Sequence, residues 1–208
     1  HIYSGSQNLK AESIIDAQQK SLALANKLSE HCPTAISKLN IGGGYGIPYF
    51  PGEKPLDIKQ VGDALEKAMK QFKTDQPETE VIIELGRYLV GEAGVYVSKI
   101  IDKKISRGQI YLVVDGGLHH HLAASGNFGQ VIRKNYPVSI GNKMHNTTLE
   151  RVNIVGPLCT PLDILGDKML LAKAEMGDFV VVQQSGAYGY TASPQQFLSQ
   201  PECVEVLV

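Results

Sequence analysis

The hydrophobic pattern changes rhythm once along this chain, and that change constrains the fold more than any single motif does. Up to about residue 93, short apolar runs alternate with stretches of helical period. His1–Gly5 reads as extended. A helical stretch follows from about Leu9 to Glu30, with Ile14, Ile15, Leu22, Leu24 and Leu28 broadly at helical spacing and Pro33 marking its end. Ala35–Ile41 reads as a strand running into Gly42-Gly43-Gly44. Beyond a Pro/Gly-rich loop, Asp57–Phe72 reads as an amphipathic helix with Ile58, Val61, Leu65 and Met69 on one face. Val81-Ile82-Ile83 reads as a buried strand, followed by a short helix near Arg87–Gly94. Repeated strand–helix units imply parallel strands with helices outside, and three units are too few to close a barrel.

From Val95 onward the period becomes that of strands. Tyr96–Ile105, Gln109–Val114, Arg151–Val155 and Asp178–Gln183 alternate with turns rich in Gly, Asn and Pro, and Arg107-Gly108 is placed to close a hairpin. Only Pro161–Lys173 reads as helical turns. The expected fold class is therefore α/β plus β. Residues 1–94 form part of a (β/α) barrel, and 95–208 form a mostly antiparallel β-domain.

Composition narrows the function classes. The 208 residues are 43% hydrophobic and 20% charged, the balance of a globular chain. Lys plus Arg is 20 against Asp plus Glu 21, so no electrostatic footprint for nucleic acid or an anionic membrane is present. Apolar runs such as Tyr111–Val114 fall far short of the ~20 residues of a membrane-spanning helix. Three cysteines, Cys32, Cys159 and Cys203, cannot all pair with one another, which points to a reducing, cytoplasmic setting. The chain opens on His1 inside an apparent strand, so the expectation is a clipped polypeptide whose upstream part is missing.

Five short motifs at strand ends carry the chemistry. Gly42-Gly43-Gly44 lets backbone N–H groups surround a phosphate, although alone it would be a flexible turn; it lacks the Walker lysine and the GxGxxG spacing. Glu84-Leu85-Gly86-Arg87 offers a carboxylate and a guanidinium that either form a structural ion pair or divide between a protonated ring nitrogen and a phosphate. Asp115-Gly116-Gly117, Gly156-Pro157-Leu158-Cys159 and Gly186-Ala187-Tyr188 complete the set, each a turn when taken singly. His119-His120-His121 tempts a metal reading, but neighbouring residues of an extended chain point to alternate sides and no partner has ligand spacing. The expectation there is a polar loop at the rim of a site, and no metal.

These motifs, preceded by His-Ile-Tyr-Ser-Gly-Ser-Gln, make the chain resemble the pyridoxal-phosphate-dependent fold-type III decarboxylases, which include the diaminopimelate, ornithine and arginine decarboxylases. The resemblance spans nearly the whole chain and corresponds to the family's second half: the late strands of an alanine-racemase-like TIM-type barrel, then the C-terminal β-domain. With Thr160-Pro161 after the cysteine and three histidines after Asp-Gly-Gly, the sequence looks most like exosortase-associated and carrier-protein-linked glutamate decarboxylases.

The resemblance implies pyridoxal 5'-phosphate as cofactor. Its phosphate would lie against Ser6, Gly43, Gly44, the backbone of Gly86 and Arg87, and the Tyr188 hydroxyl. Glu84 would keep the pyridine nitrogen protonated, making the ring a full electron sink and favouring decarboxylation over racemisation. Cys159 would reprotonate Cα; a thiol with an ordinary pKa near ~8.5 stays mostly protonated at neutral pH. Asp115 and Thr160 would meet the substrate. The implied assembly is a homodimer with shared active sites.

Three departures stand out. Relatives carry a ring-stacking His where Tyr3 stands here; Tyr3 can still stack, and His1 is an alternative. Basic-substrate relatives place an acidic residue after the cysteine. Thr160 carries no charge, which implies an acidic or carrier-protein-tethered amino acid as substrate. No lysine of this chain, including Lys38, Lys99 and Lys168, stands in the context of the Schiff-base lysine, so this polypeptide alone is expected to be inactive. A non-catalytic cofactor-binding or regulatory homologue and a fold-type III racemase are the competing readings.

Overall fold

Helix α1, Ala11–Ser29, follows from one apolar stripe: Ala11, Ile14, Gln18, Ser21, Leu22 and Ala25 share its buried face. Glu12 in its first turn and Lys27 in its last complement the helix dipole. Leu24 and Leu28, expected among the inward residues, face solvent instead. The structure, a computed structural model, describes residues 1–208, which divide into two compact units, His1–Leu89 and Val90–Val208.

In the first unit α1 leads to β1, Lys38–Asn40, then to α2, Ile58–Asp75, and β2, Glu80–Ile82. The carboxylate of Asp57 caps α2 by accepting the Gln60 N–H at 2.9 Å, an arrangement that contributes about 1 kcal/mol. β1 and β2 pair in parallel, Lys38 opposite Glu80 and Asn40 opposite Ile82, so both deliver the chain to the same end of the ladder. α1 and α2 pack through Leu22, Ala25, Leu39, Ile41 and Phe72, with Leu65 and Met69 half-buried against them. Ile58 stays outside this face. His1–Gly5 joins no strand; the Ile2 N–H reaches the Asn40 carbonyl, and Asn8 makes a single parallel bridge to Tyr45.

Helix α3, Gly86–Val90, is followed by a single 3-10 turn, Gly91–Ala93. The first compact unit ends at Leu89, within this helix, and the second begins at Val90. The Gly186 N–H donates to Gly91 O at 3.0 Å and the Ser185 N–H to Gly94 O at 2.8 Å, which ties this turn to the second unit.

The second unit is a six-stranded sheet: β3 Tyr96–Ser106, β4 Gln109–Val114, β5 Val138–Ile140, β6 Leu149–Val155, β7 Ile164–Ala172 and β8 Phe179–Val182. Their spatial order is β5-β8-β3-β4-β6-β7, and only the β4–β6 pairing is parallel. β5 also approaches β7, so the mostly antiparallel sheet curls toward closure. Its inner face is filled by Ile100, Leu112, Val114, Val152, Ile154, Leu165, Val180 and Val182. Arg107 and Gly108 both adopt positive φ, 50° and 75°, as a two-residue hairpin turn requires. The segment expected to hold helical turns, Pro161–Lys173, instead contains strand β7. Its residues Ile164–Ala172 form an antiparallel ladder with β6, from Leu149↔Ala172 to Val155↔Ile164, and the pairing partner outweighs a locally ambiguous apolar run.

Candidate active site

In the first unit, in-register pairing of β1 and β2 brings their following loops side by side. The Glu84 N–H donates to Gly42 O at 2.8 Å. Asn40, the last residue of β1, then joins the two loops through its side chain: Nδ2 donates to Glu84 Oε1 at 2.8 Å, and Oδ1 accepts the Gly42 N–H at 2.8 Å. Glu84 is thus anchored by one oxygen to the glycine turn while its side chain remains 59% exposed. His1 Nε2 lies 3.6 Å from the same Oε1.

The glycine turn is shaped by sterics. Gly44 has φ +85°, and a Cβ there would lie 2.5 Å from Gly5 O; a Cβ on Gly43 would overlap the Glu84 carbonyl oxygen. Only glycine lets the two loops come this close. A concavity bordered by Ser4, Gly5 and the three glycines opens beside it.

Arg87 reaches across the mouth of this turn. Its Nη1 donates to Ser6 Oγ at 3.4 Å and to Gln7 Oε1 at 3.1 Å, and its guanidinium carbon stands 5.8 Å from the centre of the Tyr49 ring. Gln7, held at φ 52°, is itself fixed to Ile47, accepting that residue's N–H at 3.3 Å and donating to its carbonyl at 2.5 Å. Ser6, Gly43, Gly44, Glu84 and Arg87 therefore converge, and Gly86 opens α3 beside them. Tyr3, in contrast, is 75% exposed. His1, not Tyr3, is the aromatic side chain placed against Glu84.

In the second unit, Cys159 and Thr160 lie on the turn between β6 and β7. Cys159 is a free, exposed thiol. Thr160 Oγ1 accepts the Leu162 N–H at 3.3 Å. Asp115, at the end of β4, is engaged by the neighbouring strand: its Oδ1 accepts the Lys99 N–H at 2.8 Å and its N–H donates to Lys99 O at 3.0 Å. Tyr188 sits in a left-handed conformation, φ 56°, with its ring centre 6.0 Å from that of Phe128.

The three histidines do lie in a loop, but two of them are buried rather than exposed. They form a tight turn in which the His120 and His121 N–H groups donate to Gly117 O, and His119 and His121 are 0% and 1% exposed. His121 Nδ1 accepts the Ala124 N–H at 3.2 Å, so Nε2 carries the proton and donates to Ser185 Oγ at 3.0 Å. Burial lowers the pKa of both His119 and His121 to about 4. His120 bridges the Tyr96 hydroxyl, at 3.1 Å, and Pro201 O, at 2.7 Å. The rings of His120 and His121 are thus held by hydrogen bonds within the second unit.

Asn40 and Gln7 were not legible as site residues in the sequence. Each is a lone polar residue beside turn formers, a context in which such residues ordinarily serve the turn itself.

Comparison with known proteins identifies the family. A family model described as "Pyridoxal-dependent decarboxylase, C-terminal sheet domain" matches residues 2–186. The L-glutamyl-[BtrI acyl-carrier protein] decarboxylase of Niallia circulans is 40% identical over 211 residues, covering 100% of this chain and 49% of that protein. The diaminopimelate decarboxylase of Archaeoglobus fulgidus is 30% identical over 210 residues, covering 100% and 48%. Among solved structures, diaminopimelate decarboxylase from M. jannaschii in complex with L-lysine superposes with a TM-score of 0.79 at 26% identity, covering 94% of this chain and 43% of that one. The chain spans about half the length of the relatives it matches. A chain with this sheet and these loops belongs to the pyridoxal-dependent decarboxylases, of which it carries the C-terminal sheet domain. No helix is long and apolar enough to cross a membrane.

Proposed function

We propose that this chain is the C-terminal part of a pyridoxal-phosphate-dependent amino-acid decarboxylase acting on an acidic or carrier-protein-tethered amino acid. The observation that carries the reading is the Asn40–Glu84 pair beside the glycine turn: one carboxylate oxygen is anchored and the other is left for a partner. In this reading residues 1–94 are the closing strands and helices of a (β/α) barrel, and 95–208 the β-domain.

The residues present fit the cofactor. The glycine turn is a cradle that a Cβ would fill, and Ser6 and Arg87 supply a hydroxyl and a guanidinium beside it. With Tyr188 and the Gly86 backbone, these groups would hold the phosphate. Glu84 would hold a proton on the ring nitrogen, and His1 or Tyr3 would lie against the ring. When bound, pyridoxal phosphate supplies a sink for the electron pair left at Cα as CO2 departs. Cys159 would return a proton to Cα, its thiol exposed and so accessible. Asp115 and Thr160 would face the substrate, and Thr160 brings no charge to select a distal amine. Cys159 and Asp115 would serve the site of a second subunit in a homodimer.

The relative that decarboxylates carrier-bound glutamate, at 40% identity, supports the substrate class. The test is CO2 release by the intact protein, supplied with pyridoxal phosphate, from free glutamate, glutamyl thioester on a carrier protein, diaminopimelate and ornithine. Release from the glutamyl substrates is expected. Efficient turnover of diaminopimelate or ornithine alone would overturn the substrate assignment, and release from none would overturn the activity.

A further inference from the structure

The turn that carries Cys159 is built around one buried acid. Asp163 is 2% exposed. Its Oδ1 accepts the Leu118 N–H at 2.6 Å and its Oδ2 accepts the Leu158 N–H at 2.9 Å, one donor to each oxygen. Its backbone closes the same turn, with the Gly156 N–H donating to Asp163 O at 3.0 Å and the Asp163 N–H donating to Thr160 O at 3.2 Å. Cys159 therefore lies between two residues that are each bonded to Asp163: Leu158 through the side chain and Thr160 through the main chain.

The two glycine-bearing motifs meet on this carboxylate. A Cβ on Gly117 or on Gly156 would overlap the Asp163 carboxylate oxygens. Both positions are glycine because the acid occupies the space a side chain would need. The Asp-Gly-Gly and Gly-Pro-Leu-Cys segments, separate in sequence, are thus held against a single side chain. Burial pushes the Asp163 carboxyl up, while the Leu118 and Leu158 N–H groups and nearby His120 pull it down.

We propose that Asp163 is a positioning residue: by clamping the Leu118 and Leu158 amides it fixes the turn that presents the Cys159 thiol. This deepens, and rests on, the reading of Cys159 as the proton donor, because a proton delivered to one carbon requires a thiol held in one place. Asparagine at this position keeps the shape but can accept at only one end, leaving its amide N–H groups opposed to a backbone N–H. Alanine removes both acceptors. Glutamate, one methylene longer, has no room against Gly117 and Gly156.

The experiment is site-resolved alkylation of the intact protein by iodoacetamide, followed by peptide mass spectrometry at Cys159 and Cys32, alongside CO2 release and thermal melting. In folded Asp163→Asn the alkylation rate at Cys159 is expected to change by at least about threefold, since thiol reactivity follows local environment. The Cys32 rate should stay constant, and Asp163→Ala should exceed Asp163→Asn. An unchanged Cys159 rate in folded Asp163→Asn overturns the proposal. If Asp163→Asn does not fold, amide hydrogen exchange on the wild-type protein decides: slow exchange at Leu118 and Leu158 supports the clamp, and fast exchange at both contradicts it. Alkylation and exchange need no turnover, so a failure of this inference is distinguishable from a failure of the decarboxylase reading.

Discussion

Asn40 Nδ2 stands 2.8 Å from Glu84 Oε1, and the same asparagine accepts the Gly42 N–H at 2.8 Å. One amide thus sets both the direction of the carboxylate and the shape of the glycine turn. Replacing Asn40 with alanine frees an exposed glutamate to rotate and leaves Gly42 without its acceptor. Losing a hydrogen bond to a charged group costs about 1.5–3 kcal/mol, so Asn40→Ala should weaken pyridoxal phosphate binding by about tenfold or more. Equilibrium dialysis of the intact protein measures this; wild-type affinity in the variant would show that Glu84 needs no orientation.

Gly43→Ala should destabilise the first unit outright, because its Cβ would overlap backbone, the Glu84 carbonyl, rather than a flexible side chain. The expected loss lies at the severe end for single substitutions, above about 3 kcal/mol. Chemical denaturation checks it, and a loss below about 1 kcal/mol would mean that the two loops can separate without cost.

Arg87 offers a planar fork, of which Nη1 reaches both Ser6 and Gln7. Lysine keeps the charge but loses this geometry. Arg87→Lys is expected to reduce affinity for pyridoxal phosphate by about tenfold while changing affinity for pyridoxal, which lacks the phosphate, much less. Equal losses for the two ligands would remove Arg87 from the phosphate site.

The buried histidines make the second unit acid-sensitive. His119 and His121 have pKa values near 4 in the folded chain against about 6.5 when unfolded. The unfolded state therefore binds more protons between these values. The stability they contribute is fully present above about 6.5 and is lost as pH falls toward 4. The melting temperature should drop by several degrees between pH 7.5 and pH 5, and His121→Gln should flatten that slope. A slope unaltered by the substitution would mean that His121 does not stay neutral.

Much of the fold was legible because local chemistry was unambiguous. Arg107-Gly108 closes its hairpin, α2 forms where the amphipathic period runs, and the triple glycine follows a strand. What escaped was decided by partners far away in sequence. The apolar run Ile164–Ala172 fits either helix or strand until β6 lies beside it. β5, with three residues, is too short to leave a periodic trace. Three consecutive histidines suggest an extended, polar stretch, whereas a turn anchored on Gly117 folds two of the rings inward. Ser6, Gly43, Gly44, Glu84 and Arg87 were visible as motifs, but Asn40 and Asp163, which hold such motifs in place, became apparent only from their hydrogen bonds.

In the proposed role, Glu84 would favour loss of a carboxyl group over simple exchange of the Cα proton. The direct measurement compares the intact protein with its Glu84→Arg variant, following CO2 release and Cα hydrogen–deuterium exchange on the same substrate. The account predicts that the ratio of CO2 release to exchange falls by at least about tenfold in Glu84→Arg. A ratio that stays at the wild-type value, with cofactor still bound, would contradict it.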